Sequence, residues 1–359
     1  MHGEQEPMKT EILDVTGWHK VVKFEDAEAG LKAIISVHDA SLGPAVGGCR
    51  MRAYETFEDG LEDVKNLSRG MTWKNALGGI PFGGGKAVIF GDPKADKTPQ
   101  LFHAFGRAVD SLEGLYTTAQ DSGISPIDLQ LVAEKTKYVG GLGKDGRGGD
   151  PSPFTARGVW KGLRATVRHR FKTTDLKGMR VLVAGVGAVG FGLCRFLHEE
   201  GAELVVADVN AEAVEKAKAQ FGATAAHPDE IFAQEGDVYA PCALGGAINA
   251  GTLPLLKVKA VAGGANNQLK TPDMGEALRA RDILYAPDYV INAAGVISVG
   301  HEVMGDWDHD SLFARIDQIG DTLALIYERA ERDGKTTAEV ADQMALEVVE
   351  NARRAHAAE

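Results

Sequence analysis

Two lysines separated by a run of glycines are the clearest candidates for chemistry in this sequence. Lys74 and Lys86 lie in a stretch that reads GMTWKNALGGIPFGGGKAV from Gly70 to Val88. Glycine lets the backbone approach a ligand closely and adopt positive φ values. The apolar residues beside the glycines make an exposed turn with two surface lysines the weaker alternative. The stretch therefore predicts the floor of a cleft in which two ammonium groups meet one small anionic substrate.

The elements that position these lysines are a helix and a strand. Thr56 and Asp59 have the spacing of a capping box, and apolar residues recur at helical spacing as far as Met71. Lys74 follows Met71 by three residues, so it lies on nearly the same face if the helix continues. Lys86 leads directly into a run of apolar and β-branched residues, which predicts a strand.

A carboxylate, Asp121, ends the short strand predicted at 116–121. An aspartate at the end of a strand is commonly a turn or helix cap, and Gly123 nearby suits that alternative. A functional role requires Asp121 to lie near Lys86, which the spacing alone leaves open.

A second glycine motif follows a predicted domain boundary, which is placed in the glycine- and proline-rich stretch 140–153. A buried strand at 180–184 then leads into GVGAVG. Its residues Gly185, Gly187 and Gly190 match G-x-G-x-x-G between a strand and an apolar helix.

The surroundings of this motif predict a dinucleotide site. The next strand, 203–207, ends at Asp208, about 20 residues beyond the glycines. The glycines let a pyrophosphate approach the helix N-terminus, whose unpaired N–H groups favour an anion. Asp208 is suited to accept hydrogen bonds from ribose hydroxyls, and its charge repels a 2′-phosphate, so NAD is predicted rather than NADP. An α/β unit that binds nothing is the weaker alternative.

Further strands are predicted at 238–240, 258–262 and 283–286. In an open parallel sheet, ligands lie beyond the carboxyl ends of the strands, so the turns after these strands are expected to face the nicotinamide end. Asn267 in one of these turns suits a hydrogen bond to substrate or ribose, although asparagine in turns commonly serves the backbone alone. Residues 311–359 are predicted to be helical.

Composition and charge exclude several classes of protein. The 359 residues are 44% hydrophobic and 25% charged, which is ordinary for a globular chain long enough for two cores. The net charge of −12 argues against nucleic acid and an anionic membrane as partners. Three dispersed cysteines, a polar N-terminus and the lack of an apolar run of about 18 residues predict a cytoplasmic protein. Acidic and histidine residues at 301–310 are predicted to form a solvated polar loop, and no metal is expected.

Several motifs together resemble the amino acid dehydrogenases that act on glutamate, leucine, phenylalanine and valine. They are LGPAVGGCRM, GMTWKNA, GGGKAVI, TAQD, GDPSPFTA, APCALG, AGGANNQL and YAPDYVINAAGVI, and they cover nearly the whole chain. The resemblance implies an α/β fold with a substrate-binding and oligomerisation domain at 1–145 plus 331–359 and a doubly wound, Rossmann-type NAD domain at 146–330. It also implies a homo-oligomer, from dimer to octamer, that converts an amino acid to its 2-oxo acid and ammonia.

The resemblance carries roles to the residues that match its motifs. Lys86 is expected to be the catalytic acid/base, Asp121 to assist proton transfer, and Lys74 to bind the substrate α-carboxylate. A lysine that acts as a base must lose its proton near neutral pH, which burial beside a second cation favours. The other expected substrate-binding residues are Val46, Gly47, Met71, Ala119, Asn267, Val296 and Val299. The expected cofactor-binding residues are Gly185, Gly187, Ala188, Val189, Gly190, Asp208, Val209, Cys242, Ala243, Asn267 and Thr155.

Comparison within the resembling family favours a leucine-type pocket. The glutamate enzymes carry a lysine where this chain has Val46, so an apolar pocket is expected. Leucine-type enzymes tend to have alanine and valine at the positions of Ala119 and Val296, whereas phenylalanine-type enzymes tend toward glycine and a larger residue. Two features depart from the leucine type. Gly140 replaces a threonine that is frequent there and would leave more room in the pocket, and CRM at 49–51 resembles the phenylalanine enzymes.

The sequence therefore predicts NAD-dependent, reversible oxidative deamination of a branched-chain aliphatic L-amino acid. An L-phenylalanine dehydrogenase is the first alternative. A catalytically silent sensor of NAD or amino acids is a remoter one, and the presence of Lys74, Lys86 and Asp121 weighs against it because a sensor has no need of a base.

Overall fold

The computed structural model describes residues 8–143 and 148–358, and it separates the chain into two compact units. Unit 1 is formed by Met1–Asp150, Ser298–Asp308 and Ala345–Glu359, and unit 2 by Pro151–Ile297 and His309–Met344. Each unit contains a six-stranded sheet and helices. The predicted α/β class with two domains is therefore confirmed.

Unit 1 contains a mixed sheet. Its strands are β1 (Lys9–Leu13), β2 (Lys20–Asp26), β3 (Leu31–Asp39), β4 (Ala45–Arg52), β5 (Gly83–Phe90) and β6 (Tyr116–Gln120). Their order in the sheet is β1-β2-β3-β5-β4-β6. β4 is parallel to both of its neighbours, β5 and β6, whereas the other pairs are antiparallel. The helices in the first part of the chain are α1 (Phe57–Gly78), α2 (Pro99–Asp110) and α3 (Pro126–Ala133).

The sheet of unit 1 is covered by helices on both faces. Ile34 and Val88 on one face pack with Val64 of α1. Ile35 on the other face belongs to a larger cluster that includes Phe105 of α2. Burial on both faces explains why the central strands are almost continuously apolar rather than alternating.

Helix α1 begins and ends as its sequence directs. The Thr56 hydroxyl accepts a hydrogen bond from the Asp59 N–H, and the Asp59 carboxylate accepts one from the Thr56 N–H, so the predicted capping box is confirmed. The helix is terminated by Gly79 at φ 63°, a left-handed conformation that glycine adopts without strain. Lys74 therefore lies inside the last turns of this helix.

Unit 2 contains a parallel sheet. Its strands are β7 (Arg180–Ala184), β8 (Glu203–Ala207), β9 (Thr224–Ala225), β10 (Val238–Pro241), β11 (Ala260–Val261) and β12 (Leu284–Tyr285). The order β12-β11-β10-β7-β8-β9 reverses direction beside β7, as in a doubly wound dinucleotide-binding fold. The remaining helices of the chain are α4 (Ser152–Phe171), α5 (Ala188–Glu199), α6 (Ala211–Phe221), α7 (Asp273–Ala280), α8 (Asp288–Ile291), α9 (Ala294–Met304), α10 (His309–Asp333) and α11 (Thr337–Ala358).

Apart from a shift of the 145/146 boundary to 150/151, the units differ from the predicted domain limits at two places. Residues 298–308, predicted within the second domain, belong to unit 1, where Glu302 accepts hydrogen bonds from backbone N–H groups of 141–143. Residues 331–344, predicted with the first domain, belong to unit 2, where Thr337 donates a hydrogen bond to the last residue of β12. Both differences arise from specific polar contacts that helical periodicity does not encode.

The segment 301–310 was predicted to be a solvated polar loop, and this is wrong for its first part. Helix α9 continues to Met304, and His301 is buried with its Nδ1 3.1 Å from the Asp306 carboxylate. Within residues 8–143 and 148–358, no group of three or more His, Cys, Asp or Glu side chains is arranged to hold a metal ion. In the same ranges, no helix has both the length and the apolar character needed to cross a membrane. The 144–147 part of the predicted linker lies outside the described residues.

Candidate active site and dinucleotide site

The structure brings Lys86 and Asp121 together. Lys86 lies on β5 and is 7% exposed, and Asp121 directly follows β6. The Lys86 Nζ is 3.0 Å from Asp121 Oδ2. The contact that the sequence left open is therefore present, and a buried amine has a carboxylate within hydrogen-bonding distance.

Strand β4 lies between these two residues, and its glycines make the contact possible. Gly48 is in register with Ala119 of β6. A Cβ atom at position 48 would lie 2.9 Å from the Asp121 Cβ and 2.5 Å from the Gln120 carbonyl oxygen. Since real Cβ atoms do not approach other atoms so closely, any side chain at position 48 would displace Asp121.

A close contact between α1 and β5 positions Lys74. A Cβ atom at Gly84 would lie 2.1 Å from Thr72 Oγ1 and 2.2 Å from the Thr72 backbone nitrogen. The buried Asn75 amide also donates a 2.7 Å hydrogen bond to the carbonyl of Gly83, at the start of β5. The half-buried Lys74 therefore extends from a helix that is fixed against the strand carrying Lys86.

Asp121 is part of a polar network that sequence reasoning missed. The Arg50 Nε is 3.1 Å from Asp121 Oδ2, and Arg50 Nη1 is 3.0 Å from Asp63 Oδ2 on α1. The Tyr54 hydroxyl donates a 2.6 Å hydrogen bond to the same Asp63 oxygen. The one signal of this network in the sequence is Arg50 itself, a basic residue in an apolar strand next to the glycine pair. It was considered there only as part of the motif LGPAVGGCRM.

The ionisation of Asp121 follows from this network. Burial alone would raise the pKa of this carboxyl group, but the Lys86 and Arg50 charges lower it to about 2. Asp121 is therefore ionised throughout the neutral range. The neighbouring Cys49 thiol and Tyr116 hydroxyl remain neutral there, because burial raises the pKa of each well above its ordinary value.

The expected pocket residues of unit 1 surround the same strands. Val46 on β4 is fully buried, and Ala119 on β6 is nearly so. Met71 of α1 faces Gly47, where a Cβ atom would lie 3.1 Å from the Met71 Cγ. Val299 of α9 is 9% exposed. These side chains are apolar, as predicted.

The expectation that Gly140 leaves more room in the pocket is wrong. A Cβ atom at Gly140 would lie 2.8 Å from Val299 Cγ1 and 2.9 Å from Val303 Cγ2. The space that a side chain would occupy is therefore filled by the two valines of α9. The absence of a side chain at Gly140 leaves no cavity, because the neighbouring helix packs closely in its place.

Two cavities within the units lie apart from all the predicted site residues. One of about 330 Å³ in unit 2 is lined by residues such as Arg170, Tyr285 and Tyr327. The other, of about 870 Å³ in unit 1, is lined by residues such as Tyr138, Glu302 and Val303. Neither contains the Lys86–Asp121 pair, so cavity size does not locate the candidate site, and we place the site from its chemistry.

The glycine motif of unit 2 fits a dinucleotide. Helix α5 begins after Gly187, and no side chain caps its N-terminus. A Cβ atom at Gly187 would meet nothing within 4 Å, so the space in front of this helix is open. By contrast, a Cβ atom at Gly190 would lie 1.9 Å from the carbonyl oxygen of Gly185, which holds the loop close to the helix. Uncapped N–H groups facing open space are suited to a pyrophosphate.

Asp208 is held beside this loop at the end of β8. Its Oδ2 accepts a 2.8 Å hydrogen bond from the Val186 N–H, and its Oδ1 accepts a 2.9 Å hydrogen bond from the Asn210 N–H. Val209, the next residue, is 93% exposed. The carboxylate is therefore oriented by the loop itself, which suits hydrogen bonds to ribose hydroxyls.

The other expected cofactor residues lie on loops or in the first turns of helices of the same unit. Ala243 contacts Gly185, where a Cβ atom would lie 2.7 Å from the Ala243 backbone nitrogen. Cys242 Sγ accepts a hydrogen bond from the Gly264 N–H, and burial raises the pKa of this thiol to about 11, so it is neutral. Thr155 donates a 3.0 Å hydrogen bond to the Pro151 carbonyl at the start of α4. Ala188 and Val189 form the first turn of α5.

Asn267 and Val296 belong to unit 2. Asn267 adopts φ 52°, and its carbonyl accepts a hydrogen bond from the Gly246 N–H, so the backbone role of asparagine is present. Its side chain is exposed. Sequence reasoning missed the two amides that hold this loop. The buried Gln268 donates to the carbonyls of Gly263 and Ala265, and Asn292 donates to Asn266 Oδ1.

Comparisons with known proteins identify the family. The model of the "Glu/Leu/Phe/Val dehydrogenase, dimerisation domain" matches residues 19–138, and that of the "Glutamate/Leucine/Phenylalanine/Valine dehydrogenase" matches residues 206–357. The leucine dehydrogenase of Geobacillus stearothermophilus is 46% identical over 96% of this chain and 94% of its own length. The valine dehydrogenase of Streptomyces virginiae is 45% identical over 95% of this chain and 96% of its own length.

Among solved structures, L-tryptophan dehydrogenase from Nostoc punctiforme superposes with a TM-score of 0.84 at 42% identity. The match covers 94% of this chain and 97% of that one. The motifs, the doubly wound second unit and these similarities agree. The chain belongs to the Glu/Leu/Phe/Val dehydrogenase family.

Proposed function

We propose that this protein catalyses the NAD-dependent, reversible oxidative deamination of a branched-chain aliphatic L-amino acid, namely leucine, valine or isoleucine, to its 2-oxo acid and ammonia. The observation that carries the proposal is the contact between buried Lys86 and partly buried Asp121, 3.0 Å apart, in a chain 46% identical to a leucine dehydrogenase. A buried amine beside a fixed carboxylate is an arrangement for general acid/base chemistry.

Lys86 acts as the acid/base on the substrate. As the neutral amine, it takes a proton from the water molecule that attacks the imine carbon. It then returns that proton to the amino group. As the C–N bond breaks and ammonia leaves, Lys86 takes the remaining hydroxyl proton, and the 2-oxo acid is formed. Asp121 stays ionised, accepts hydrogen bonds from Lys86, and balances the positive charge that Lys86 gains. Proton transfer by positioned groups of this kind typically contributes about 10²–10⁴-fold to the rate.

Lys74 holds the substrate α-carboxylate. Its position on α1, which packs against β5 at Gly84, supports this role because the helix fixes the ammonium relative to the strand that carries Lys86. Gly47 allows the backbone of β4 to lie close to the substrate.

NAD is held by the glycine loop, the N-terminus of α5, and Asp208. Bound there, NAD would supply the acceptor for the hydride that leaves the substrate Cα. The Asp208 carboxylate, fixed by two backbone N–H groups, accepts hydrogen bonds from the ribose and repels a 2′-phosphate. Asn267, with its exposed side chain after β11, contributes a hydrogen bond to substrate or ribose.

The substrate side chain is enclosed by apolar residues, and this decides which amino acids react. The wall residues proposed are Val46, Met71, Ala119, Val296 and Val299. Since none of them forms strong hydrogen bonds, a glutamate side chain would bury an unpaired carboxylate at a cost of at least several kcal/mol. Discrimination among hydrophobic substrates is weaker, because one methylene is worth roughly 1–3 kcal/mol.

The assembly proposed is a homo-oligomer in the cytoplasm. The dimerisation domain named in the description of the first matching family model supports the oligomer. The three free cysteines, of which Cys49 and Cys194 are buried, support a reducing compartment.

A panel of amino acids assayed by NADH absorbance tests the proposal. Leucine, valine and isoleucine should all react, with phenylalanine and tryptophan slower and glutamate weaker by several orders of magnitude in kcat/KM. The tryptophan dehydrogenase similarity makes an aromatic substrate the second candidate. A wild-type preference for phenylalanine or tryptophan, or comparable rates with glutamate and leucine, would show the pocket assignment to be wrong.

A further inference from the structure

Arg50 connects the candidate active site to helix α1. Its Nε contacts Asp121 Oδ2 at 3.1 Å, and its Nη1 contacts both oxygens of Asp63 at 3.0 and 3.2 Å. The side chain is 18% exposed. Because two different nitrogens of one rigid guanidinium bind two carboxylates, the position of one carboxylate determines that of the other.

Arg50 is itself held in place. The Tyr54 hydroxyl donates a 2.6 Å hydrogen bond to Asp63 Oδ2, the oxygen that also accepts from Arg50. Tyr54 follows β4, and Asp63 lies in the second turn of α1. The hydrogen bonds from Tyr54 to Asp63 and from Arg50 to Asp63 therefore hold the guanidinium between the segment after β4 and helix α1.

Asp121 shares one oxygen between two cations. Both Arg50 Nε and Lys86 Nζ contact Asp121 Oδ2, at 3.1 and 3.0 Å. Without Arg50, the carboxylate would keep Lys86 as its one cationic neighbour among the described residues, with the Ser122 backbone N–H as a further hydrogen-bond donor. Arg50 is therefore the side chain that, together with Lys86, sets the orientation of the carboxylate.

We propose that Arg50 is a positioning residue of the reaction, which holds Asp121 as an oriented anion beside Lys86. The inference rests on the proposed role of Asp121. The groups that face Asp121 are Lys86 from β5, Arg50 and the neutral Cys49 from β4, and the neutral Tyr116 from β6. Asp63 of α1 acts on it through Arg50.

The test compares Arg50→Gln and Arg50→Lys with a matched control, Arg107→Gln. Arg107 also pairs with a buried aspartate of unit 1, Asp26, at 3.0 Å, away from the candidate site. Arg50→Gln should lower kcat about 10–100-fold, with the KM for leucine and the Kd for NADH changed less than about threefold. Arg50→Lys should retain an intermediate kcat, because an ammonium keeps the charge without bridging both carboxylates. Arg107→Gln should match the wild type.

The split between kcat and KM separates positioning from a merely structural role. A general structural defect would raise the KM for leucine and lower the midpoint of urea unfolding along with kcat, whereas loss of positioning lowers kcat alone. Parallel losses in kcat, KM and stability in Arg50→Gln would contradict the inference.

Three further variants keep the outcomes distinguishable. If Asp121→Asn turns over leucine as fast as the wild type, the proposed role of Asp121 is wrong, and the inference is overturned with it. If Asp121→Asn is impaired but Arg50→Gln is not, the inference alone is wrong. The double variant Arg50→Gln with Asp121→Asn should lose no more activity than Asp121→Asn alone, so additive losses would also overturn the inference.

If circular dichroism shows that Arg50→Gln does not fold, the rates of Arg50→Lys and Tyr54→Phe decide whether the inference holds. Tyr54→Phe should lower kcat about 2–5-fold, and wild-type rates in both variants would overturn the inference.

Discussion

The ammonium of Lys86 meets the carboxylate of Asp121 across strand β4, with 3.0 Å between Nζ and Oδ2. Gly48 of β4 pairs with Ala119 of β6, and a Cβ atom at position 48 would lie 2.9 Å from the Asp121 Cβ. Two residues 35 positions apart in sequence, one on β5 and one directly after β6, thus meet because the intervening strand has no side chain at Gly48.

Replacing Lys86 by alanine should abolish turnover and leave dinucleotide binding nearly intact. The amine is the proposed acid/base, and such groups contribute about 10²–10⁴-fold. The measurement is kcat for leucine together with the Kd for NADH from fluorescence titration. Lys23→Ala, which removes a lysine paired with Glu25 on β2, is the control. A Lys86→Ala rate within a factor of about two of the wild type would rule out the catalytic role.

Replacing Asp208 by alanine should reduce the preference for NAD over NADP. The carboxylate is fixed by the Val186 and Asn210 N–H groups, so its charge cannot move away from a 2′-phosphate. The ratio of kcat/KM for the two cofactors should be large in the wild type and smaller in the variant. Glu212→Ala, on the exposed first turn of α6, is the charge-matched control. Equal wild-type values for NAD and NADP would refute the role of Asp208.

Replacing Gly140 by alanine should destabilise unit 1. A Cβ atom there would lie within 2.9 Å of Val299 and Val303, and overpacking of this kind costs about 1–3 kcal/mol. The midpoint of urea unfolding measures the effect, and an added Val303→Ala should recover part of it. In Gly70→Ala, by contrast, the new Cβ meets nothing within 4 Å, and a helical alanine should stabilise the protein by about 0.5–1 kcal/mol. Equal midpoints for the two single variants would contradict this packing.

His38 should make unit 1 less stable in mild acid. Burial lowers its pKa from 6.5 to about 4, opposed by Asp39 and assisted by Arg69 and Arg353. The unfolded chain therefore binds a proton near pH 6.5 that the folded protein binds only near pH 4. Stability contributed by neutral His38 is present above pH 6.5 and is lost as the pH falls through this window.

The variant His38→Gln should remove this part of the acid sensitivity. After allowance for partial exposure, the loss between pH 7 and pH 4 due to His38 amounts to about 1–2 kcal/mol. Urea unfolding at both pH values measures it, and His19→Gln, an exposed histidine of the same unit, is the control. If the drop in stability is the same in His38→Gln as in the wild type, the buried neutral histidine is not its source.

The sequence predicted the parts of the site that local patterns encode. The capping box fixed the start of α1, and G-x-G-x-x-G between strand and helix located the dinucleotide loop. Glycine and lysine together in 70–88 predicted a cleft floor, and in the structure Gly84, on the strand that carries Lys86, lies against Thr72 of α1.

The remaining features depend on long-range contacts, which spacing does not reveal. The Arg50–Asp63 pair joins a strand to a helix, and Gln268 holds its loop by two backbone carbonyls that only the fold brings near. Whether Gly140 leaves extra room in the pocket depends on how closely α9 packs against it. Neither composition nor periodicity gives this distance.

The glycines at positions 48 and 84 have a consequence for directed evolution of this protein. A side chain at position 48 would overlap Asp121, and one at position 84 would overlap Thr72, so neither position tolerates diversification. A side chain at either glycine would therefore disturb the surroundings of Lys86 and Asp121. Val46 on β4 and Ala119 on β6 already carry side chains, so a mutant library aimed at new substrates should randomise those two positions and leave the glycines unchanged.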